Sequence, residues 1–154
     1  MIVIQINRCF ITAICALHME AIYRIIIELG DKPDNQAEYL KEASEIFNKI
    51  TEDDMNNNCL KPHPILHEIS EQASNDGVFE LLKLAWNHDL FKKYWNSLRY
   101  IDEYGMTAIE RLSVNHNVKN SPKKAAWIEK NMGIVFTKRF NVREKRMKEQ
   151  AKLD

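Results

Sequence analysis

Short helical segments that come in pairs are the strongest constraint on how this 154-residue chain can fold. Apolar residues dominate 19–29 and 77–86, and they recur at intervals of three and four over 35–50, the spacing that puts them on one helix face. A short helix, a tight break, a more apolar helix and a Gly or polar stop occur about three times. Such pairs cannot bury their apolar faces alone, so the pattern predicts a stack of neighbouring pairs.

The composition also favours helices. Four Gly and four Pro are few for a sandwich or a barrel, which needs many turns. An apolar share of 45% with a charged share of 29% supplies a core and excludes a disordered chain. We therefore predict one all-α domain of stacked helix pairs over residues 1–154, with an irregular helical bundle as the alternative. The alternating apolar residues at 2–6 suit a short strand.

Local signals set the expected helix limits in the first part of the chain. The segment 19–29 is apolar almost all round, which marks a buried helix, and Gly30 is expected to end it as a cap residue. Asn35, with a glutamate three residues later, resembles a capping box and predicts an extra helix over 35–50. Residues 51–62 are polar and acidic, and we predict a loop there.

Similar signals recur in the second part. Asp89 is expected to cap a helix over 90–101. Ser121 followed by Pro122 is a favourable helix start. Asn141, again with a glutamate three residues later, predicts a charged C-terminal helix. Altogether the chain is expected to form about eight helices.

The clearest local motif is the turn over 102–109, Asp-Glu-Tyr-Gly-Met-Thr-Ala-Ile. Asp102, Gly105 and Thr107 have the spacing of the Asp-x-x-Gly-x-Thr-Pro-Leu-His turn of ankyrin repeats, which this segment resembles. Gly105 should permit the turn geometry, since glycine adopts backbone angles that strain other residues. The Thr107 hydroxyl should cap the helix that follows.

Two further segments are similar to parts of the same repeat. Residues 64–67, Pro-Ile-Leu-His, and the apolar run at 77–82 resemble the turn and second helix of a middle unit. Residues 24–30 resemble a second helix with its closing Gly. The chain thus resembles a degenerate ankyrin-repeat protein of about three repeats, with an extra helix and a basic C-terminal helix at 138–154.

This resemblance implies a surface that binds another protein and no intrinsic catalysis. The protein would act by occupancy, as an adaptor, an inhibitor or a bacterial or viral effector-type protein. No nucleophile elbow, Walker loop or dinucleotide-binding glycine motif appears in the sequence, so we assign no catalytic residue and no cofactor. An enzyme with an unrecognised site is the third alternative, after nucleic-acid binding.

Aromatic residues concentrate between 86 and 104, where Trp and Tyr could anchor a partner or fill a core. Trp86 is expected in the core. Tyr94, Trp95 and Tyr104 are the predicted partner contacts.

Zero net charge hides a division between two parts of the chain. Residues 1–118 hold 11 Lys and Arg against 18 Asp and Glu (11 − 18 = −7), whereas residues 119–154 hold 11 against 4 (11 − 4 = +7). Arg139, Arg143 and Arg146 follow one helical stripe, and the apolar residues beside it are Phe136, Phe140 and Met147. This segment is either a terminal capping helix or a binding element for nucleic acid or an acidic partner.

Cys59, His63 and His67 stand four residues apart, a spacing that on one helix would bring three zinc-binding groups to one face. Pro62 and Pro64 prevent one continuous helix through all three, so we predict no metal. His67 is instead expected in the hydrogen-bonding position of an ankyrin-like turn.

The expected compartment is reducing and therefore cytoplasmic. Three cysteines, an odd and irregularly spaced set, do not form a disulfide framework. The first twenty residues lack a basic start, and their apolar stretch is interrupted, so we predict neither a signal peptide nor a membrane span. For an effector, the host cytosol would be the site of action.

Overall fold

The computed structural model describes residues 17–58 and 64–153, and this part of the chain is all-helical, as predicted. The strand expected at 2–6, together with Cys59 and His63, lies outside the described residues. The α-helices are α1 over residues 17–30, α2 (Gln36–Phe47), α3 (Glu52–Asn58), α4 (Ile65–Glu71), α5 (Asp76–Trp86), α6 (Ala108–Ser113), α7 (His116–Lys119), α8 (Pro122–Met132) and α9 (Arg139–Leu153). A 3₁₀ helix (Asp89–Lys93) follows α5.

Several helices contact the helix that follows them, and others contact a helix further along the chain. α4 contacts α5, α7 contacts α8, α2 contacts α5, and α4 contacts α6 most extensively. One cluster of buried apolar side chains runs from α1 to α8 and on to Ile134. The rings of Phe79 and Trp127, 5.7 Å apart, connect α5 to α8. Helices α1 to α8 therefore share one main core, and α9 contributes Val142 to a second, small cluster.

Two asparagines make similar links between helices that are far apart in the sequence. Asn75 caps α5 by accepting from Val78 N, and its amide donates to the Gly30 carbonyl, 3.2 Å away. Asn115 caps α7 in the same way, and its amide donates to the carbonyls of Ser70 (2.9 Å) and Glu71 (3.2 Å). Each asparagine thus joins the start of one helix to the end of a helix about 45 residues earlier.

Residues 24–30, expected as a second helix with its closing Gly, form the C-terminal part of α1. The Asn75 amide reaches the end of this helix, as the Asn115 amide reaches the end of α4. The place of residues 24–30 within a repeat unit stays a prediction. Gly30 is itself the last helical residue, and the left-handed backbone angle falls on Lys32 (φ 54°).

The capping box expected at Asn35 is absent. Asn35 stands at the N-cap of α2, but its backbone (φ −100°, ψ 39°) is not extended, and its side chain accepts no bond from the helix. Its amide donates to the Glu38 carboxylate instead, 3.2 Å away. The helix still forms, since Ala43 and Phe47 are buried against the core.

The acidic segment predicted as a loop contains α3. Thr51 and Asp54 bond each other's backbone amides, with Thr51 N 2.7 Å from Asp54 Oδ2 and Asp54 N 3.3 Å from Thr51 Oγ1. Negative charge in the first turn suits the helix dipole, and Met55 is fully buried. The loop prediction depended on the polar composition of the segment. It is wrong because these local bonds stabilise a helix.

The helix expected over 90–101 is replaced by the short 3₁₀ helix and turns. Phe91 packs against Phe47 with ring centroids 5.1 Å apart, and Tyr100 is fully buried. A continuous helix could not bury aromatic residues from so many directions, and the chain turns repeatedly to do so.

α8 begins at Ser121 and Pro122, as predicted, although the Ser121 side chain makes no capping bond. α9 begins at Arg139, so the capping box expected at Asn141 is wrong. Asn141 lies inside the helix and its amide donates to Thr137 Oγ1, 3.2 Å away.

Acidic and basic parts meet where α8 approaches α5. Lys124 Nζ lies 2.8 Å from Asp76 Oδ1 and also donates to the Ser74 carbonyl. The hydrogen bond and charge of Lys124 lower the pKa of the Asp76 carboxyl below its ordinary value. Among the described helices, none combines the length and apolar character needed to cross a membrane.

Candidate functional site

The turn before α6 is held by one buried carboxylate. Asp102 Oδ1 accepts hydrogen bonds from Tyr104 N (2.9 Å) and Met106 N (3.0 Å). Gly105 has φ +74°, the left-handed region in which a Cβ is strained. The result is a rigid loop that leaves the Tyr104 side chain 58% exposed.

A reciprocal cap attaches this turn to α6. Thr107 Oγ1 accepts from Glu110 N (3.2 Å), and Glu110 Oε1 accepts from Thr107 N (2.9 Å). Both residues are buried. The turn and the helix therefore behave as one element.

His67 connects the same turn to α4. Its Nε2 donates to the Met106 carbonyl, 2.7 Å away, and its ring lies 5.5 Å from that of Tyr100. The side chain is buried and engaged in this bond, and its assignment to an ankyrin-like turn stays a prediction. Within 17–58 and 64–153 no group of three His, Cys, Asp or Glu could hold a metal ion.

Arg111 is a buried cation that the sequence analysis did not single out. It is 3% exposed, and its Nε lies 2.8 Å from Glu71 Oε2 and 3.4 Å from Asp102 Oδ2. Its guanidinium is also 5.0 Å from the Tyr104 ring centroid. No local pattern reveals this residue, because one of its two carboxylate partners is 40 positions away in the chain.

A second guanidinium contacts the same ring. Arg139, the first residue of α9, lies 5.7 Å from the Tyr104 centroid. Each such contact at an exposed ring is worth about 0.5–1 kcal/mol. The two arginines therefore restrict the Tyr104 side chain while much of its surface stays open to solvent.

α9 is docked on α6 and the turn. Arg146 Nε donates to the Gly105 carbonyl (3.1 Å), while its Nη1 donates to Glu149 Oε2 (2.8 Å) and its Nη2 to Glu110. Val142 is buried in a small cluster with Met106 and Val114. One valine and one arginine thus make buried or partly buried contacts that hold α9 against the rest of the fold.

The predicted partner contact Tyr104 lies next to Arg139, the first residue of the predicted basic stripe, and both are exposed. Arg143 of the same stripe is exposed one turn further along α9. Arg146 does not share this exposure, because the Glu110 carboxylate and the Gly105 carbonyl hold it against the body.

The assignment of Tyr94 and Trp95 to a partner surface is wrong. Trp95 is 1% exposed and contacts the Trp86 ring at 5.7 Å, while Tyr94 is buried against Tyr100 at 5.4 Å. The Trp95 carbonyl also accepts from Ile109 N, 3.0 Å away. These side chains fill the core beneath the turn, which positions Tyr104 but leaves neither ring available for a partner.

The apolar stripe expected along α9 is divided. Phe136 packs against the core, whereas Phe140 is 72% and Met147 is 71% exposed. The buried contact is made by Val142, which the sequence pattern did not distinguish from its neighbours. α9 therefore carries apolar residues on both its docked and its outward sides.

Comparisons with family models, with curated proteins and with solved structures each find no match for this chain.

Proposed function

We propose that this chain is a protein-interaction module of the ankyrin-like type, in which three helix pairs stack and act by binding a partner. The contacts of α4 with α6 and of α2 with α5 support this arrangement. So do the two asparagine links, which repeat the same bond pattern between successive pairs. The turn over 102–107, with its left-handed Gly105 and Thr107 cap, supports the resemblance locally.

The proposed binding region is the Tyr104–α9 surface, which we define by five exposed residues: Tyr104, Arg139, Phe140, Arg143 and Met147. The single observation that carries it is the exposed Tyr104 ring in contact with Arg111 and Arg139. An aromatic side chain that is already restricted loses little conformational entropy on binding, and Tyr and Arg are frequent anchors of protein interfaces.

Affinity capture from native cells with the Tyr104→Ala variant tests this proposal. Loss of a central anchor costs about 2 kcal/mol, so recovery of the partner should fall roughly thirtyfold. The matched control is Ile27→Ala, which truncates another exposed apolar residue on α1 and should leave capture unchanged. Far-UV circular dichroism should show both variants folded. Undiminished capture by Tyr104→Ala would contradict the assignment.

Nucleic-acid binding by α9 is the second candidate, favoured by its exposed basic side chains. These are Arg139, Arg143, Lys145, Lys148 and Lys152, and Lys138 directly precedes the helix. Glu149 Oε1 lies 3.9 Å from Lys145 Nζ, and Glu144 Oε1 lies 3.7 Å from Lys148 Nζ. These two carboxylates weaken the positive electrostatic field around α9. Phosphate binding predicts an affinity for duplex DNA or RNA that falls steeply between about 50 and 200 mM salt. Affinity that is independent of salt would reject this candidate.

The proposed setting is a reducing compartment, the cytoplasm, or the host cytosol for an effector. The sparse, irregular cysteines support it.

A further inference from the structure

α9 presents an apolar stripe on the side opposite its docked face. Phe140 and Met147 are seven residues apart, close to two helical turns, and so lie on one side of the helix. Both are more than two-thirds exposed. Val142, which docks α9, lies on a different side of the helix. The outward stripe is therefore not part of the contact that holds α9 in place.

Positive charge lies beside this stripe. Arg143 comes three residues after Phe140 and four before Met147, so its side chain is adjacent to both on the helix surface. Arg139 continues the same edge toward Tyr104.

Glu144 lies along the other edge of the stripe and is paired there with Lys148, whose Nζ is 3.7 Å from Glu144 Oε1. On the Arg143 edge only, the surface thus combines apolar contact with cations that pair with no carboxylate among the described residues, and the complement of that edge is a partner that combines apolar residues with carboxylates.

The spacing of the stripe indicates the partner's secondary structure. Seven residues of α-helix span about 10.5 Å. Same-side residues of an extended strand recur about every 6.6 Å, so neither one nor two strand repeats match this distance. A second helix with apolar residues at i and i+7 matches it directly. Helix-on-helix contact of this kind is a common mode of peptide recognition.

The charge of α9 also argues against pairing with the α9 of a second copy. Within residues 139–153 there are six Lys and Arg against two Glu, so two such helices side by side would repel each other. An acidic helix would be attracted instead, and the attraction would speed encounter as well as select the partner.

We propose that the Tyr104–α9 surface binds an acidic amphipathic helix of another protein. The inference rests on the proposed function and adds the chemistry of the partner. Phe140 and Met147 contact the apolar stripe of the incoming helix. Arg139 and Arg143 pair with its carboxylates, and Tyr104 contacts it at the end nearest the turn.

The test uses the full chain and a fluorescent synthetic peptide of about five helical turns. The peptide carries Leu at helical spacing along one face and Glu and Gln elsewhere. Fluorescence anisotropy at physiological salt should show binding. A scrambled peptide of the same composition, in which the Leu residues share no face, should bind at least tenfold more weakly. Equal affinity for the two peptides would overturn the proposal.

Variants locate the binding site. Phe140→Ala combined with Met147→Ala should weaken peptide binding at least tenfold, and so should Arg143→Glu. Lys152→Glu changes the net charge by the same amount on another side of α9, and its effect should stay within threefold. Equal losses for Arg143→Glu and Lys152→Glu would show attraction to charge alone and would overturn the assigned face.

Other occupants give distinct results. Concentration-dependent self-association in sedimentation, abolished by Phe140→Ala combined with Met147→Ala, would assign the surface to a second copy and overturn the proposal. Tighter binding to vesicles containing phosphatidylserine than to the peptide, lost in Phe140→Ala with Met147→Ala, would assign it to a lipid surface with the same consequence. Reduced native capture by Tyr104→Ala, with no peptide binding, would reject only the acidic helix and leave the proposed function standing.

Discussion

Thr107 illustrates how one hydroxyl fixes both a loop and a helix. Its side chain accepts from Glu110 N, its own amide donates back to Glu110, and its hydroxyl lies 3.3 Å from Asn96 Oδ1. Because these groups are buried, water cannot replace the bonds once they are lost. The hydroxyl therefore stabilises the turn that carries Tyr104 as well as the first turn of α6.

We expect Thr107→Ala to lower the free energy of unfolding by about 1–2 kcal/mol, the usual cost of removing an N-cap side chain. Chemical denaturation monitored by circular dichroism measures it. Ser121→Ala is the matched control, since Ser121 occupies an N-cap without a side-chain capping bond. A comparable loss in both variants would show that the bond to Glu110 contributes little.

Sequence alone predicts such caps only in part. Asn35, Thr107 and Asn141 are each followed three residues later by a glutamate, but only Thr107 forms the reciprocal cap. Its backbone is extended (ψ 165°), whereas that of Asn35 is not (ψ 39°), and Asn141 lies inside a helix. The pattern names candidate residues, and the backbone that tertiary packing imposes selects among them.

At the scale of the element, α9 depends on very few contacts. Val142 supplies the apolar contact, and Arg146 bridges to Glu110 and to the Gly105 carbonyl. The helix itself was predictable from its run of strong helix formers. The side of α9 that docks on the body could not be predicted from the sequence. Phe140 and Met147 lie on one side of the helix and Val142 on another, and the sequence favours neither side. Which side of α9 faces the body depends on the position of the Glu110 carboxylate in the folded chain.

Replacing Arg146 should loosen α9 without unfolding the body. Arg146→Met removes both the partly buried ion pair and the bond to Gly105, so amide hydrogen exchange in residues 142–150 should accelerate at least tenfold. Arg143→Met removes an exposed charge and should leave exchange unchanged. Similar exchange in the two variants would mean that Val142 alone holds the helix.

At the scale of the molecule, the helical class followed from periodicity and the low Gly and Pro content. The exact end of α1 did not, because the left-handed backbone angle expected at Gly30 falls on Lys32. The acidic and basic parts of the chain also contact each other in the structure. The basic part docks on the acidic body through Arg146 with Glu110 and Lys124 with Asp76. Lys124 and Arg146 therefore pair with carboxylates of the same chain.

A shared core and these cross-links predict cooperative unfolding. Trp86, Trp95 and Trp127 report on α5, on the segment before α6 and on α8, and each lies in or against the single cluster. Tryptophan fluorescence and far-UV circular dichroism should therefore give coincident transitions in urea. Transitions at separate urea concentrations would show that the helix pairs unfold independently.

The links made by Asn75 and Asn115 also bear on how freely this sequence can change. In both cases the acceptor is a backbone carbonyl, of Gly30 or of Ser70 and Glu71, which every amino acid possesses. Substitutions at the acceptor positions therefore preserve the bond, provided that the helix end keeps its place. A lineage could exchange most residues at these junctions while keeping one asparagine for each. The links between these helices would then persist although the sequence around them had changed.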